Sequence, residues 1–238
     1  MTENTESRNK LLISQLEKGQ RRFNGFSDDA LRLQEYLHEQ KWEKKSWDET
    51  SREIWAEDIR PQLNAILTDC SEALQEFSGE CFESQLARPV PHGNVAKWFW
   101  GAVVKEGKTV HNDIQLFVAL RWGYVRVGLY VNNQDEDNFK RVMSNITNKE
   151  KDIEDALRIA KENQVFLCIT ADISDGRIIE FELTENTWRN EFLKRKEIGL
   201  AKAWEIDDDI LQNPEFAEEV LKTFSSLLPL YYILNDTR

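Results

Sequence analysis

Asn112 to Asn133 reads NDIQLFVALRWGYVRVGLYVNN, and the choice of fold starts from its alternation. Ile114, Leu116, Val118 and Leu120 alternate with Gln115, Phe117, Ala119 and Arg121, and after Trp122-Gly123 the alternation resumes with Val125, Val127, Leu129 and Val131. A period of two predicts two half-buried strands. With Trp122 and Gly123 as the loop, Leu120 pairs with Val125, Val118 with Val127, Leu116 with Leu129 and Ile114 with Val131, so every inward pair is apolar. The opposite face carries Gln115, Phe117, Arg121, Tyr124, Arg126 and Tyr130. A primed turn prefers Gly or Asn where Trp122 stands, which leaves a longer loop open.

Working outward, 238 residues suffice for one large domain with a full core. No linker composition interrupts the chain, which predicts a disordered tail over residues 1 to 8 and a single α+β domain over residues 9 to 238. Cys70, Cys81 and Cys168 are too few and too irregularly spaced for a disulfide framework or a CxxC zinc site, which fits a reducing cytoplasm. The start, MTENTESRNK, has no apolar core of a secretory leader, and no apolar run approaches the roughly 18 residues of a membrane span. The expectation is a soluble cytoplasmic protein with no membrane partner.

The formal net charge of -12 excludes a protein that coats nucleic acid or anionic membrane with its whole surface. The charge is unevenly placed. Residues 85 to 133 hold 6 Lys+Arg against 2 Asp+Glu, whereas residues 1 to 84 hold 11 against 18 and residues 134 to 238 hold 14 against 23. The central strands are thus a basic island, either because strands disfavour Asp and Glu or because their surface faces an anion.

The flanking segments are read from period and caps. Ser27 is an N-cap for a helix through about Gln40, with Asp28 and Asp29 in its first turn. Ile59, Leu63, Ile66, Leu67, Cys70, Leu74 and Phe77 form the buried stripe of a helix from about Trp47 to Phe77, kinked or restarted at Pro61 and ended by Gly79. Val95 to Val104 predicts a strand, and Phe139 to Ile146 and Lys149 to Lys161 two amphipathic helices. Val165 to Ala171 and Arg177 to Leu183 predict a second hairpin around Ser174-Asp175-Gly176, pairing Leu167 with Leu183, Ile169 with Phe181 and Ala171 with Ile179. A helix at Asn186 to Lys196, a strand at Gly199 to Ile206, a helix at Phe216 to Phe224 and a separate final turn from Pro229 complete the chain. The fold expected is α+β: a central antiparallel sheet with an N-terminal helical hairpin and C-terminal helices packed against it.

No nucleophile, base and orienter assemble from the sequence, and neither GxxxxGK[ST] nor GxGxxG is present, so no cofactor is indicated. Cys70 lies on a buried helix stripe, and no metal-ligand spacing occurs. The remaining constellation is aromatic and basic: Phe117, Arg121, Tyr124, Arg126 and Tyr130, joined by Lys97 and Phe99 if their strand turns the same way. Such a face stacks bases and neutralises phosphates when open. When covered by an acidic helix, it pairs Arg121 and Arg126 with carboxylates instead. Two other functions stay in play, an enzyme with an acid-base site near His92, His111 and Glu180, and an adaptor that binds a protein partner through its acidic helices. The residues fix no oligomeric state.

Two resemblances add to this. Phe23-x-Gly25-Phe26-Ser27, the following leucine-rich helix, Trp47, Trp55 and Ile59-Arg60-Pro61-x-Leu63 resemble the opening of a widespread bacterial FxGF family of unknown function. That family continues with a basic RD-x-RFS-x-DK-x-PYK block, where this chain has RPVPHGNVAKWFWG. Gln115-Leu116-Phe117-Val118, Val127-Gly128-Leu129-Tyr130 and the ending Phe224 to Tyr231 are similar to N-terminal domains of McrB-like AAA+ GTPases, motor subunits of modification-dependent restriction systems. The second resemblance implies a target-recognition domain for DNA or for a defence partner, and the leading expectation is a non-catalytic binding module with the central sheet as its platform.

Overall fold

The alternating segment folds as its pattern dictates. The computed structural model, which describes residues 2–19, 21–110, 114–132, 136–169, 179–181 and 197–236, places antiparallel strands at Ile114–Arg121 (β3) and Tyr124–Asn132 (β4). Leu120 lies opposite Val125, Val118 opposite Val127, Leu116 opposite Leu129 and Ile114 opposite Val131. All eight are buried in the main core. The loop is the two residues Trp122 and Gly123, with Arg121 opposite Tyr124. Only Gly123 takes a positive φ, 77°, which is the pattern of a type II turn rather than of the primed turns usual in hairpins.

Around this hairpin lie β1 (Phe82–Leu86), β2 (Trp98–Lys105), β5 (Phe166–Ile169), β6 (Ile179–Phe181) and β7 (Glu197–Glu205). They form one seven-stranded sheet in the order β1-β2-β3-β4-β7-β5-β6, antiparallel at every pairing. The helices are α1 (Thr2–Lys18), α2 (Asp28–Glu39), α3 (Glu49–Ile54), α4 (Arg60–Ser78), α5 (Glu136–Asn148), α6 (Glu150–Glu162) and α7 (Phe216–Asn235). Packing of α2, α4 and α7 on the sheet buries the apolar side of the hairpin, so the class is α+β. Among the described residues no helix is long and apolar enough to cross a membrane.

The FxGF segment is an anchor between α4 and the residues before α7. Asp69 accepts from the backbone N–H groups of Arg22 (2.9 Å) and Phe23 (3.1 Å), Gln62 from that of Asn24 (3.0 Å), and Asp58 from that of Ser27 (3.2 Å). One helical face thus supplies acceptors that an extended segment otherwise lacks. Gly25, at φ 101°, lies so close to Gln212 that an added Cβ would stand 2.1 Å from its carbonyl oxygen. Phe23 and Phe26 meet edge to face at 5.2 Å and close on Phe216. Ser27 caps α2 by accepting from the Ala30 N–H at 3.1 Å, as the sequence predicts.

Several local expectations are corrected. The helix over Trp47 to Phe77 is interrupted ahead of Pro61 as expected, and the interruption is a π turn at Trp55–Ile59 between α3 and α4, where the Arg60 N–H reaches back to the Trp55 carbonyl. Pro61 has no N–H to give, and the widened turn before it absorbs the mismatch. Pro229 does not begin a separate turn; α7 runs through it, with Ser225, Leu228 and Leu230 all buried around it. Their packing outweighs the roughly 3 kcal/mol that an interior proline costs a helix. Residues 2 to 8, where composition predicts a tail, belong to α1, a helix that docks through Leu12 and Leu16. In the second hairpin Leu167 pairs with Phe181 and Ile169 with Ile179, two residues from the predicted register. A slip of two preserves which side chains share a face. The expected loop at Ser174-Asp175-Gly176 and helix at Asn186 to Lys196 lie outside the described residues.

Candidate functional site

The register of β2 decides which aromatic residues join the basic face. Trp98 lies opposite Arg121 and Phe99 opposite Leu120, so Phe99 turns into the core while Trp98 and Trp100 turn to the side of Arg121. The expected addition of Lys97 and Phe99 to that face is therefore corrected. The sequence VAKWFWGAVV is apolar on both faces, and only pairing with β3 selects one.

Lys97 instead meets the helical layer. Its ammonium lies 5.3 Å over the ring of Trp42, whose indole N–H donates to Gln34 Oε1 at 3.0 Å. The Gln34 amide in turn donates to the Ala96 carbonyl at 3.2 Å, tying α2 to the strand that follows. His38 of α2 meets Trp42 edge to face at 4.7 Å and stacks on Trp122 at 3.8 Å with a 13° interplanar angle. Beside Trp122, the guanidinium carbon of Arg121 lies 4.9 Å over Trp98, and Trp98 adjoins Lys97 in sequence. Lys97, Trp42, His38 and Trp122 thus form one chain of contacts and Arg121 with Trp98 a second, the two meeting around the tip of the sheet through the sequence neighbours Trp122–Arg121 and Lys97–Trp98; together these six residues make up the circuit. All six are half-buried.

Backbone strain sets one corner of this circuit. After α2, Lys41 and Trp42 take φ of 59° and 51°, a left-handed pair built without glycine. The turn is held by the Lys41 N–H donating to the His38 carbonyl at 2.9 Å and the Trp42 N–H to the Leu37 carbonyl at 2.8 Å. Lys41, Lys44 and Lys45 are exposed on this loop, with Lys45 paired to Glu43.

The sequence-predicted site residues divide into three groups along β3 and β4. Arg121 and Tyr124 face each other at the turn, half-buried, beside Trp98. Arg126, one row inward opposite Ala119 and Ala203, is only 4% exposed, so the face is not open to solvent along its whole length. Phe117 and Tyr130 meet edge to face at 6.5 Å towards the far end. Tyr124 and Tyr130 are six residues apart, about 20 Å along a strand. Trp42, His38, Trp98 and Trp122 were missing from the sequence-derived set. Trp122 carried a signal, an unfavourable residue at a turn position, whereas Trp42 and His38 join only through tertiary contacts.

No family model matches this chain, and no curated protein matches it.

The members of the circuit offer indole and imidazole surfaces and two cations, with no nucleophile and base in contact. Among the described residues no three His, Cys, Asp or Glu side chains gather as a metal site would require. Cys70 is fully buried, and burial, with Asp69 beside it, pushes its thiol pKa up, as a packing residue requires. The acid-base alternative falls on His111 and on the side chains of His92 and Glu180, which lie outside the described residues. A cleft of about 520 Å³ beside Tyr231 and Tyr232 is lined by two ion pairs, Lys105 with Glu80 and Lys149 with Asp236, and by Asp152.

Proposed function

We propose that this chain is a non-catalytic binding module that takes nucleic acid at the aromatic and cationic circuit around Trp122. The observation that carries this is the pairing of cations with indoles, Lys97 over Trp42 and Arg121 over Trp98, joined through the His38–Trp122 stack. Stacking surfaces and phosphate-neutralising charges are what nucleic-acid recognition requires together, and four members of the circuit, Lys97, Trp98, Arg121 and Trp122, lie in the basic segment of residues 85 to 133 of an otherwise acidic chain. Similarity to the N-terminal domains of McrB-like GTPases supports the same direction and suggests a defence or restriction setting. The FxGF resemblance fits the anchor role of Phe23 to Ser27 and bears on the fold rather than on the ligand.

The test is fluorescence anisotropy with labelled oligonucleotides between about 50 and 200 mM salt. Binding that weakens with salt, and whose salt slope falls by about 1 when Arg121 is replaced by Ala, is expected. Absence of binding to any oligonucleotide rejects the proposal.

A further inference from the structure

We infer that the circuit takes unpaired bases, so that its ligand is single-stranded nucleic acid rather than duplex; this rests on the function proposed above. The first ground is the ratio of stacking surface to charge. Four aromatic rings, His38, Trp42, Trp98 and Trp122, stand with two cations, Lys97 and Arg121. In a duplex the base faces are already stacked on their neighbours, and affinity comes chiefly from about 6–10 phosphate contacts. Two cations, with exposed Lys41 and Lys44 on the adjoining loop and Lys45 already paired to Glu43, fall short of that number. The net charge of -12 opposes a large polyanionic footprint as well. An unpaired base offers the circuit a ring face, which stacking rewards independently of salt.

The second ground is shape. Trp42 packs against the core on the helical side of the sheet, whereas Trp98 and Arg121 share the opposite side, and Trp122 at the hairpin tip lies between them. A ligand that touches both indoles must bend sharply over the tip. Duplex DNA, with a persistence length of about 150 base pairs, resists that bend. A single strand does not, and its bases can turn to either side as the backbone passes over. The third ground is preorganisation: Lys41 and Trp42 hold left-handed φ, and the Trp42 indole is fixed by Gln34, so this platform is built before a ligand arrives.

The experiment measures anisotropy of the whole chain with labelled oligomers of about 12 nucleotides, as single-stranded DNA, single-stranded RNA and the matching duplex, with inorganic polyphosphate as competitor. At least one single strand should bind about tenfold or more tighter than duplex, with a log–log salt slope of about -1.5 to -2 for two or three contacted phosphates. Trp98→Ala and Trp42→Ala should each weaken that binding by roughly 5- to 150-fold without flattening the slope. Trp98→Leu, which keeps apolar volume and removes the ring face, should lose as much as Trp98→Ala, and Trp98→Phe should restore most of the affinity. These two variants keep the test open if Trp98→Ala does not fold. Duplex binding equal to or tighter than single strand overturns this inference and leaves the nucleic-acid function standing. Full competition by polyphosphate at equal phosphate concentration, or no oligonucleotide bound at all, overturns both.

Discussion

His38 and Trp122 lie face to face, ring centroids 3.8 Å apart and planes 13° from parallel, one on α2 and the other at the tip of the β3–β4 hairpin. Helical layer and sheet tip are thereby clamped at the point where the chain turns. The turn itself is held by the Ile206 N–H, which donates to the Gly123 carbonyl at 3.2 Å. What Trp122 contributes here is its ring, not a favourable turn preference.

Replacing Trp122 with Asn therefore sets two effects against each other. Asn-Gly favours a tight hairpin turn, but the substitution removes the stack, so Trp122→Asn should lower stability by about 1 kcal/mol despite the better turn residue. A double-mutant cycle with His38→Ala, read by urea unfolding, should give a coupling of about 0.5–1.5 kcal/mol. Additive single effects would show that the two rings merely lie near each other.

Lys41 pays conformational strain that glycine would not. With φ at 59° it sits where L-residues are disfavoured by roughly 1–2 kcal/mol, so Lys41→Gly should raise stability by about 0.5–1 kcal/mol after the added freedom of the unfolded chain is counted. Trp42→Gly should do the opposite, since it gives up the ring contacts with His38 and Lys97. Thermal melts of the two variants, shifted in opposite directions, check this.

Asp69 and Gly25 hold the FxGF anchor. Asp69 is 4% exposed and accepts from two backbone N–H groups and from the Arg22 guanidinium at 3.0 Å. Asp69→Ala should cost about 3 kcal/mol, because the backbone N–H groups of Arg22 and Phe23 lose the carboxylate to which they donate. Gly25→Ala should cost at least as much, since both its positive φ and the Gln212 carbonyl oppose a Cβ. Equilibrium unfolding with unchanged m-value is the measurement, and a loss under 1 kcal/mol in both variants would contradict the anchor.

Glu219 makes stability depend on pH. Burial alone would raise its pKa, but the hydrogen bond and charge of Lys222 at 2.8 Å, with Lys202 at 3.3 Å, outweigh burial and hold it below the ordinary 4.5. A folded-state pKa below the unfolded one gives stability that is present above the unfolded value and lost as pH falls through the folded value. Glu219→Gln should therefore lower stability by about 0.5–1 kcal/mol at neutral pH. That difference should vanish as the pH falls below the ordinary carboxylate range, and a difference that persists in acid would assign the effect to packing.

Alternation by itself determined the hairpin. A period of two leaves one register in which Leu120, Val118, Leu116 and Ile114 all meet apolar partners, and a slip of one residue would turn every one of them to the other side. Caps and stripes likewise located α2, α4 and α6 in the sequence, because Ser27, Gly79 and the three-and-four spacing act locally. Tertiary structure alone decided the side taken by Lys97 and Trp98, the burial of Arg126 and the meeting of His38 with Trp122. Those outcomes depend on which element lies against which, and a strand apolar on both faces, or a histidine on a helix, carries no mark of its eventual neighbour. Passage of α7 through Pro229 belongs with them, since a local rule against proline yields wherever surrounding packing supplies more free energy than the missing N–H takes away.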